Sequence, residues 1–462
     1  YTFLLHYYPF TQNLGLTHSI ADIKRKVLLI STLYSSSMII YSTLPRIIVV
    51  AMSFAYLVVI ILLLKKQFKT KETLFITSIC LLPTSFVSLV ATSTSQFPFS
   101  WYHIITILLF LMTCMFQRIN RVYFIILITF TTFSGISSLL TPSFSDAIKQ
   151  VLTILLFLVS FIIGASFTGT KDDSFKLFSA DALLYSCVSL GVQIIIQRGV
   201  VIMRGLDVGH HSAMGQGRTA YAGLMGDYSF ATLYLAIGCM LTLVYYLEYK
   251  KFTTIQFVGY EIFLIVSILC VTSRTGLAAF AVIIIAYLLS HSNQFNAKII
   301  FIIISGCAMI PFIINRLENA RGNQSLVDSS GRIEQYWQAL SAFESHPLFG
   351  VGFGLVNLKQ TTGLGVPHNF FVQYLLQMGL VGTVIIVAFF VFYLKKYYQK
   401  SDPLKWLFWL VVIGAMFIPD IASSRFFGVI IILTMIGDKR DEKETSRENC
   451  IQNEKSVYTA KV

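Results

Sequence analysis

Pro367, His368 and Asn369 stand where a polar stretch of chain, Asn315 to Pro367, gives way to a long apolar run. An imidazole exchanges a proton near its ordinary pKa of about 6.5, and an ionisable side chain at the mouth of a membrane helix is a site candidate by default. The second chemical signal is arginine, at Arg204, Arg218, Arg274 and Arg332 among others. A guanidinium offers a planar fork of donors matched to phosphate and carboxylate oxygens. These residue types suit an anion held beside a titratable group. The tandem His210 and His211 invite a metal reading, but no carboxylate or third histidine stands at ligand spacing, and the pair also reads as surface histidines in a glycine-rich loop.

The elements that position these groups are membrane helices. Hydrophobic residues make up 55% of the chain and charged residues 12%, with a mean hydropathy of +0.72, far from a water-soluble composition. The apolar runs are about 17 to 22 residues long, enough to cross a hydrocarbon core of about 30 Å as helix, whereas barrel strands alternate over about ten residues. The expected fold class is all-α, a polytopic membrane protein of twelve to fourteen spans from 27–43 to 426–437, among them 179–196, 298–314 and 369–394. Residues 1–437 form one transmembrane domain with a large loop at 315–368, and the mixed charges of 438–462 predict a disordered tail. The cysteines fall in or beside apolar runs without ligand spacing and read as small core residues, and no stretch before Ile20 resembles a signal peptide.

Charge sets the expected orientation. With both termini in the cytoplasm, the inner loops before the tail carry fifteen Lys and three Arg, and the outer face carries nine Arg with only Lys149 and Lys359. Lysine anchors orientation; the arginine-rich outer face looks built to hold an anion. The alternative is that Arg204, Arg218, Arg316 or Arg332 pair with Asp207, Asp227, Glu318 or Glu334.

Three outer segments carry the candidates. Gln197 to Asp227 combines arginines and histidines with seven glycines, which predicts a mobile recognition loop. From Arg332 to Phe343 the apolar positions Ile333, Tyr336, Trp337, Leu340 and Phe343 recur at three and four, predicting a short amphipathic helix on the bilayer surface. Pro347 ends it, and Gly350, Gly352 and Gly354 allow a turn whose amides either face an anion or form a plain return loop. Thr272 to Gly276 is a very short link in which Arg274 either contacts a phosphate or snorkels to the interface.

In this order the pieces resemble the O-antigen ligase and polymerase family, polytopic glycan transferases of bacterial envelopes. The matching motifs are Ser273-Arg274 opening a span, Gly331-Arg332 with Trp337, Ala339 and Leu340, His346-Pro347-Leu348 with the turn ending at Gly354, and His368-Asn369 with Gln373, Gly379 and Gly382. Arg218, Gly223 and Asp227 match more weakly, and the resemblance covers roughly 200 to 395. It implies a GT-C-like architecture and a metal-independent inverting reaction on undecaprenyl-pyrophosphate-linked donor and acceptor, with no cofactor. It also implies the bacterial inner membrane with an extracytoplasmic site. By motif position His368 is the acceptor-activating base, Arg218, Arg274 and Arg332 hold the pyrophosphate, and Arg204, Trp337 and Asn369 contact substrate. His368 could alternatively fix the loop by bonding a carbonyl.

Membrane lipids, a chain-length regulator and a flippase are the expected partners, and nucleic acid is not. Polymerase is favoured over ligase on general frequency. A transporter or flippase for lipid-linked sugar is the alternative of another class; it should place its ionisable groups at mid-membrane in repeated halves. Glu261, inside a span, is either functional or a paired structural residue.

Overall fold

The structure, a computed structural model, describes residues 15–89, 99–116, 119–169, 173–206, 208–214, 218–273, 275–290, 332–363, 365–398 and 401–437. Positions 15–20, 42, 43, 173, 212–214, 218, 332 and 333 are described by their backbone alone. The expected span 298–314, the loop segment 315–331, the tail 438–462 and Arg274 lie outside the described residues.

The chain is an all-α polytopic membrane protein. Its first half runs α1 (Gly15–Ser37), α2 (Arg46–Leu64), α3 (Thr70–Cys80), α4 (Trp101–Phe116), α5 (Arg121–Leu139), α6 (Phe144–Ala165) and α7 (Asp173–Arg204). A two-stranded hairpin follows, β1 (His211–Met214) and β2 (Arg218–Tyr221). The second half runs α8 (Tyr228–Leu247), α9 (Thr254–Val271), α10 (Thr275–Ser290), α11 (Arg332–Ser345), α12 (Leu355–Thr362), α13 (Phe370–Lys396), α14 (Lys405–Ala415) and α15 (Phe426–Met435). Seven of the described helices are long and apolar enough to cross a membrane, namely α2, α5, α6, α7, α8, α9 and α13, and α4, α10, α14 and α15 are shorter apolar helices.

α8 is the hub. Phe230 to Tyr246 are all buried, and the helix packs against α7, α9, α10 and α14. A helix apolar on every side must be enclosed by protein or lipid, and its uniform hydrophobicity leaves no face for water. One end of the bundle is tied by lysine–carboxylate pairs: buried Asp181 of α7 lies 2.6 Å from Lys24 of α1 and also pairs with Lys251 after α8, and Lys176 lies 2.6 Å from Asp402. A carboxylate placed there needs such partners, because removing one would leave a buried charge unpaired. Glu261 of α9 accepts a hydrogen bond of 2.5 Å from Thr242 of α8, so it is a paired residue of the helix interface.

The described residues between Gln197 and Asp227 are more ordered in their hydrogen bonding than the mobile loop expected of them. α7 does not stop near residue 196; it spans 32 residues, Asp173–Arg204, because Val200 to Met203 prolong the apolar pattern. The hairpin beyond it is held by two fully buried glutamines of α7: Gln197 donates to the Val208 carbonyl (2.8 Å) and accepts from Gly223 N (2.8 Å), while Gln193 accepts from Leu224 N (2.9 Å) and donates to the Ser35 carbonyl (2.7 Å). Glycine is needed at Gly223, where φ is +62° and a Cβ would strike Gln193.

Candidate active site at the helix N-termini

His368 precedes α13, and the local sequence explains its placement. Asn369 caps the helix, its Oδ1 accepting from Phe371 N (2.9 Å) and Val372 N (3.2 Å). That engagement makes Asn369 first a positioning residue; its Oδ1, expected to contact substrate, is used on the backbone. Tyr336 of α11 donates its hydroxyl to the His368 carbonyl at 2.8 Å, and the imidazole is half-buried. α11 is the amphipathic helix the spacing predicts. Ala339 faces inward against Val351, Leu358 and Leu376, and Trp337 is 69% exposed on the opposite side. Leu348 and Phe349 after it are exposed as well, so this flank presents apolar surface of the kind that sits in a bilayer interface.

The glycine turn is not an anion nest. Residues 347–352 splice into a break in α13, where Gly379 takes φ +61° and ψ −167°. Val351 N and Gly352 N donate to the Leu376 and Gln377 carbonyls (2.9 Å each), and Leu380 N and Val381 N donate to the Pro347 and Leu348 carbonyls (2.9 and 3.1 Å). The loop thus supplies the partners that an interrupted membrane helix loses. Gly350 and Gly379 touch so closely that a Cβ on either would collide with the other's backbone. Gly354 N is accounted for too, donating 2.6 Å to Oε1 of Gln150 in α6, which also exchanges bonds of 2.8 and 3.0 Å with Gln377. Asp146 accepts from Val356 N (2.7 Å), fixing the start of α12.

A second loop, Met416 to Arg425, joins α14 to α15 and was not singled out by the sequence. Asp420 Oδ1 accepts from the hydroxyl of Tyr374, one turn inside α13, at 2.7 Å. Burial lifts the Asp420 carboxyl to about 7, partly offset by bonds from Tyr374 and Ser423. Asp420 (φ 46°) and Arg425 (φ 65°) both hold left-handed backbone without being glycine, a strain found at functional sites. The available signal was a short polar run, Pro419 to Arg425, between two apolar ones.

Through these loops five helix N-termini meet. Tyr374 of α13 reaches Asp420; the Tyr102 hydroxyl of α4 donates to the Arg425 carbonyl (3.1 Å); Phe426 of α15 packs on Phe230 of α8 (6.4 Å between centroids). Asp227 caps α8 at Ser229 N (2.6 Å) and Phe230 N (3.1 Å), and Thr275, opening α10, donates to the Ser229 hydroxyl at 3.4 Å. Gly276 lies on the Thr232 backbone, where a Cβ would clash. Helix N-termini carry unsatisfied N–H groups and partial positive charge, which favour an anion.

The other sequence candidates fall around this convergence unevenly. The link containing Arg274 abuts the start of α8 through Thr275, and Arg198 of α7 donates to Cys270 Sγ (3.4 Å) just before that link. Arg218 opens β2 in register with Met214, and the hairpin reaches the α8 N-terminus where His210 stacks on Tyr228 (5.0 Å). Burial holds the His210 pKa below its ordinary value. Arg332 opens α11, on the same helix as Tyr336 and Trp337. Arg204 is exposed at the end of α7 and makes no ion pair among the described residues.

Residues 259–387 match the family model described as O-antigen ligase. Over this stretch, under a third of the chain, the sequence is similar to that family. The matched segment runs from within α9 to within α13, so it includes Arg274, Arg332, Trp337, His368 and Asn369 and leaves Arg204, Arg218, Asp420 and Arg425 outside. No curated protein matches the chain.

Proposed function

We propose that the chain is an O-antigen ligase family member, a membrane glycosyltransferase that polymerises undecaprenyl-pyrophosphate-linked repeat units of an O-antigen, capsule or exopolysaccharide at the extracytoplasmic face. The observation that carries the proposal is the seating of His368 at the start of α13, its carbonyl held by Tyr336 of α11, inside the family segment. In this mechanism the His368 imidazole takes the proton of an acceptor sugar hydroxyl. The hydroxyl oxygen bonds to the anomeric carbon of the donor sugar, and the anomeric C–O bond breaks, leaving its electron pair on the lipid diphosphate. Arg218, Arg274 and Arg332 hold that diphosphate as its charge grows, helped by the surrounding helix N-termini. Arg204 and Trp337 would meet the glycan farther out. Cations and dipoles of the protein supply the charge stabilisation, so EDTA should leave the transfer rate unchanged; activity lost to EDTA and restored by a divalent ion would contradict this.

The description of the matched family as O-antigen ligase favours a second reading, transfer of a finished glycan to lipid A core. Purified protein supplied with one lipid-linked repeat unit separates the two. A ladder of products supports the polymerase, and reaction only after lipid A core is added supports the ligase. Movement of the intact lipid across a vesicle membrane without a new glycosidic bond would instead select a flippase.

A further inference from the structure

Arg425 is buried, 9% exposed, yet its Nε and Nη1 meet no hydrogen-bond partner and no carboxylate pairs with it among the described residues. Ser424 before it is fully buried and its Oγ is likewise without a partner. Trp101, beside Tyr102 on α4, leaves its Nε1 unpartnered. What holds Arg425 is weak by comparison: the Phe86 ring, 3.6 Å from the guanidinium carbon, and the Tyr102 hydroxyl on its carbonyl. A buried cation is costly unless paired, and ring stacking offsets only part of that cost. The left-handed φ of 65° adds strain at the same residue. Unsatisfied donors, a fixed positive charge and strained backbone at one buried residue describe a site lacking an acceptor-rich, negatively charged partner.

We infer that Arg425, with Ser424, binds a phosphate-type oxyanion where the α14–α15 loop meets Phe86 and the start of α4. The site lies outside the O-antigen ligase segment and uses none of the arginines assigned to the transfer reaction. A guanidinium and a hydroxyl together match phosphoryl oxygens, and a loop between two membrane helices meets phosphate in two forms, a lipid-linked diphosphate or a phospholipid headgroup.

The test uses the full chain in a phosphate-free maltoside detergent, probed with inorganic pyrophosphate, farnesyl diphosphate or phosphatidylglycerol. Hydrogen–deuterium exchange at residues 99–104 and 420–427 and titration calorimetry are the readouts. Bound anion should slow exchange in both segments, and Arg425→Gln should weaken binding at least about tenfold while leaving the melting temperature of the free protein unchanged. Protection by farnesyl diphosphate identifies the lipid-linked diphosphate as the source, and protection by phosphatidylglycerol alone identifies the headgroup. If Arg425→Gln does not fold, the wild-type exchange data and Arg425→Lys, which keeps the charge but loses the fork, decide the matter. No protection by any probe, or equal affinity in Arg425→Gln, overturns the inference. Because binding is read without turnover, a protein that transfers glycan yet shows no protection would sink this site and leave the transferase standing; protection without transfer would do the reverse.

Discussion

His368 and Asp420 are the two titratable residues whose surroundings lead to definite outcomes. A positioned general base contributes about 10²- to 10⁴-fold to rate, so His368→Ala should lower glycan transfer by at least about 10²-fold while the protein still inserts and melts normally. Chain-length ladders of ordinary length from that variant would remove His368 from catalysis. Asp420 makes a prediction about stability. Burial raises its folded pKa to about 7, above the ordinary carboxyl value of about 3.9, so the folded state favours the protonated form. The stability contributed is full below the unfolded pKa and is lost as pH rises through about 7. Melting temperature should therefore decline between about pH 4 and about pH 7 in the wild type, level off above that, and stay flatter in Asp420→Asn, which keeps the oxygen that accepts from Tyr374. Parallel curves for the two proteins would show that Asp420 is ionised throughout.

The broken helix α13 sets the geometry at the scale of elements. Its interruption at Gly379 is satisfied by the 347–352 loop, and the same loop leads back to α11, whose Tyr336 holds the His368 carbonyl. The break and the candidate base therefore belong to one braced unit. Gly379→Ala would force a left-handed backbone on a residue with a Cβ and drive that Cβ into Leu348 and Gly350. A strained dihedral alone costs about 1–3 kcal/mol, so the variant should melt several degrees lower, and transfer should fall with it. An unchanged melting curve would mean that the splice closes without glycine.

Orientation in the membrane belongs to the whole molecule. The lysine distribution expects the end carrying His368 to face away from the cytoplasm, and Trp337, 69% exposed on α11, offers a reporter there. In right-side-out vesicles, Trp337→Cys should react with a membrane-impermeant maleimide without permeabilisation. Labelling only after the vesicles are opened would invert the topology and with it the proposed side of the reaction. Among the described residues, Cys80, Cys187, Cys239 and Cys270 are buried and Cys114 is half-buried, so the labelling is read against that of the wild-type protein.

Hydropathy and helical spacing by themselves determined the all-α membrane architecture and the amphipathic helix at Arg332, and they drew attention to the His368-Asn369 junction, because apolar run length and helical spacing are local properties of the chain. Only the tertiary structure decided that the glycines of 350–354 mend a helix instead of cradling an anion, that Gln193 and Gln197 hold the hairpin, and that Asp420 and Arg425 reach α13 and α4. A backbone amide or an arginine looks the same in sequence whether its partner is a carbonyl, a ring or a ligand. That partner comes from segments hundreds of residues away, as with Tyr102 and Arg425, and packing alone brings them together.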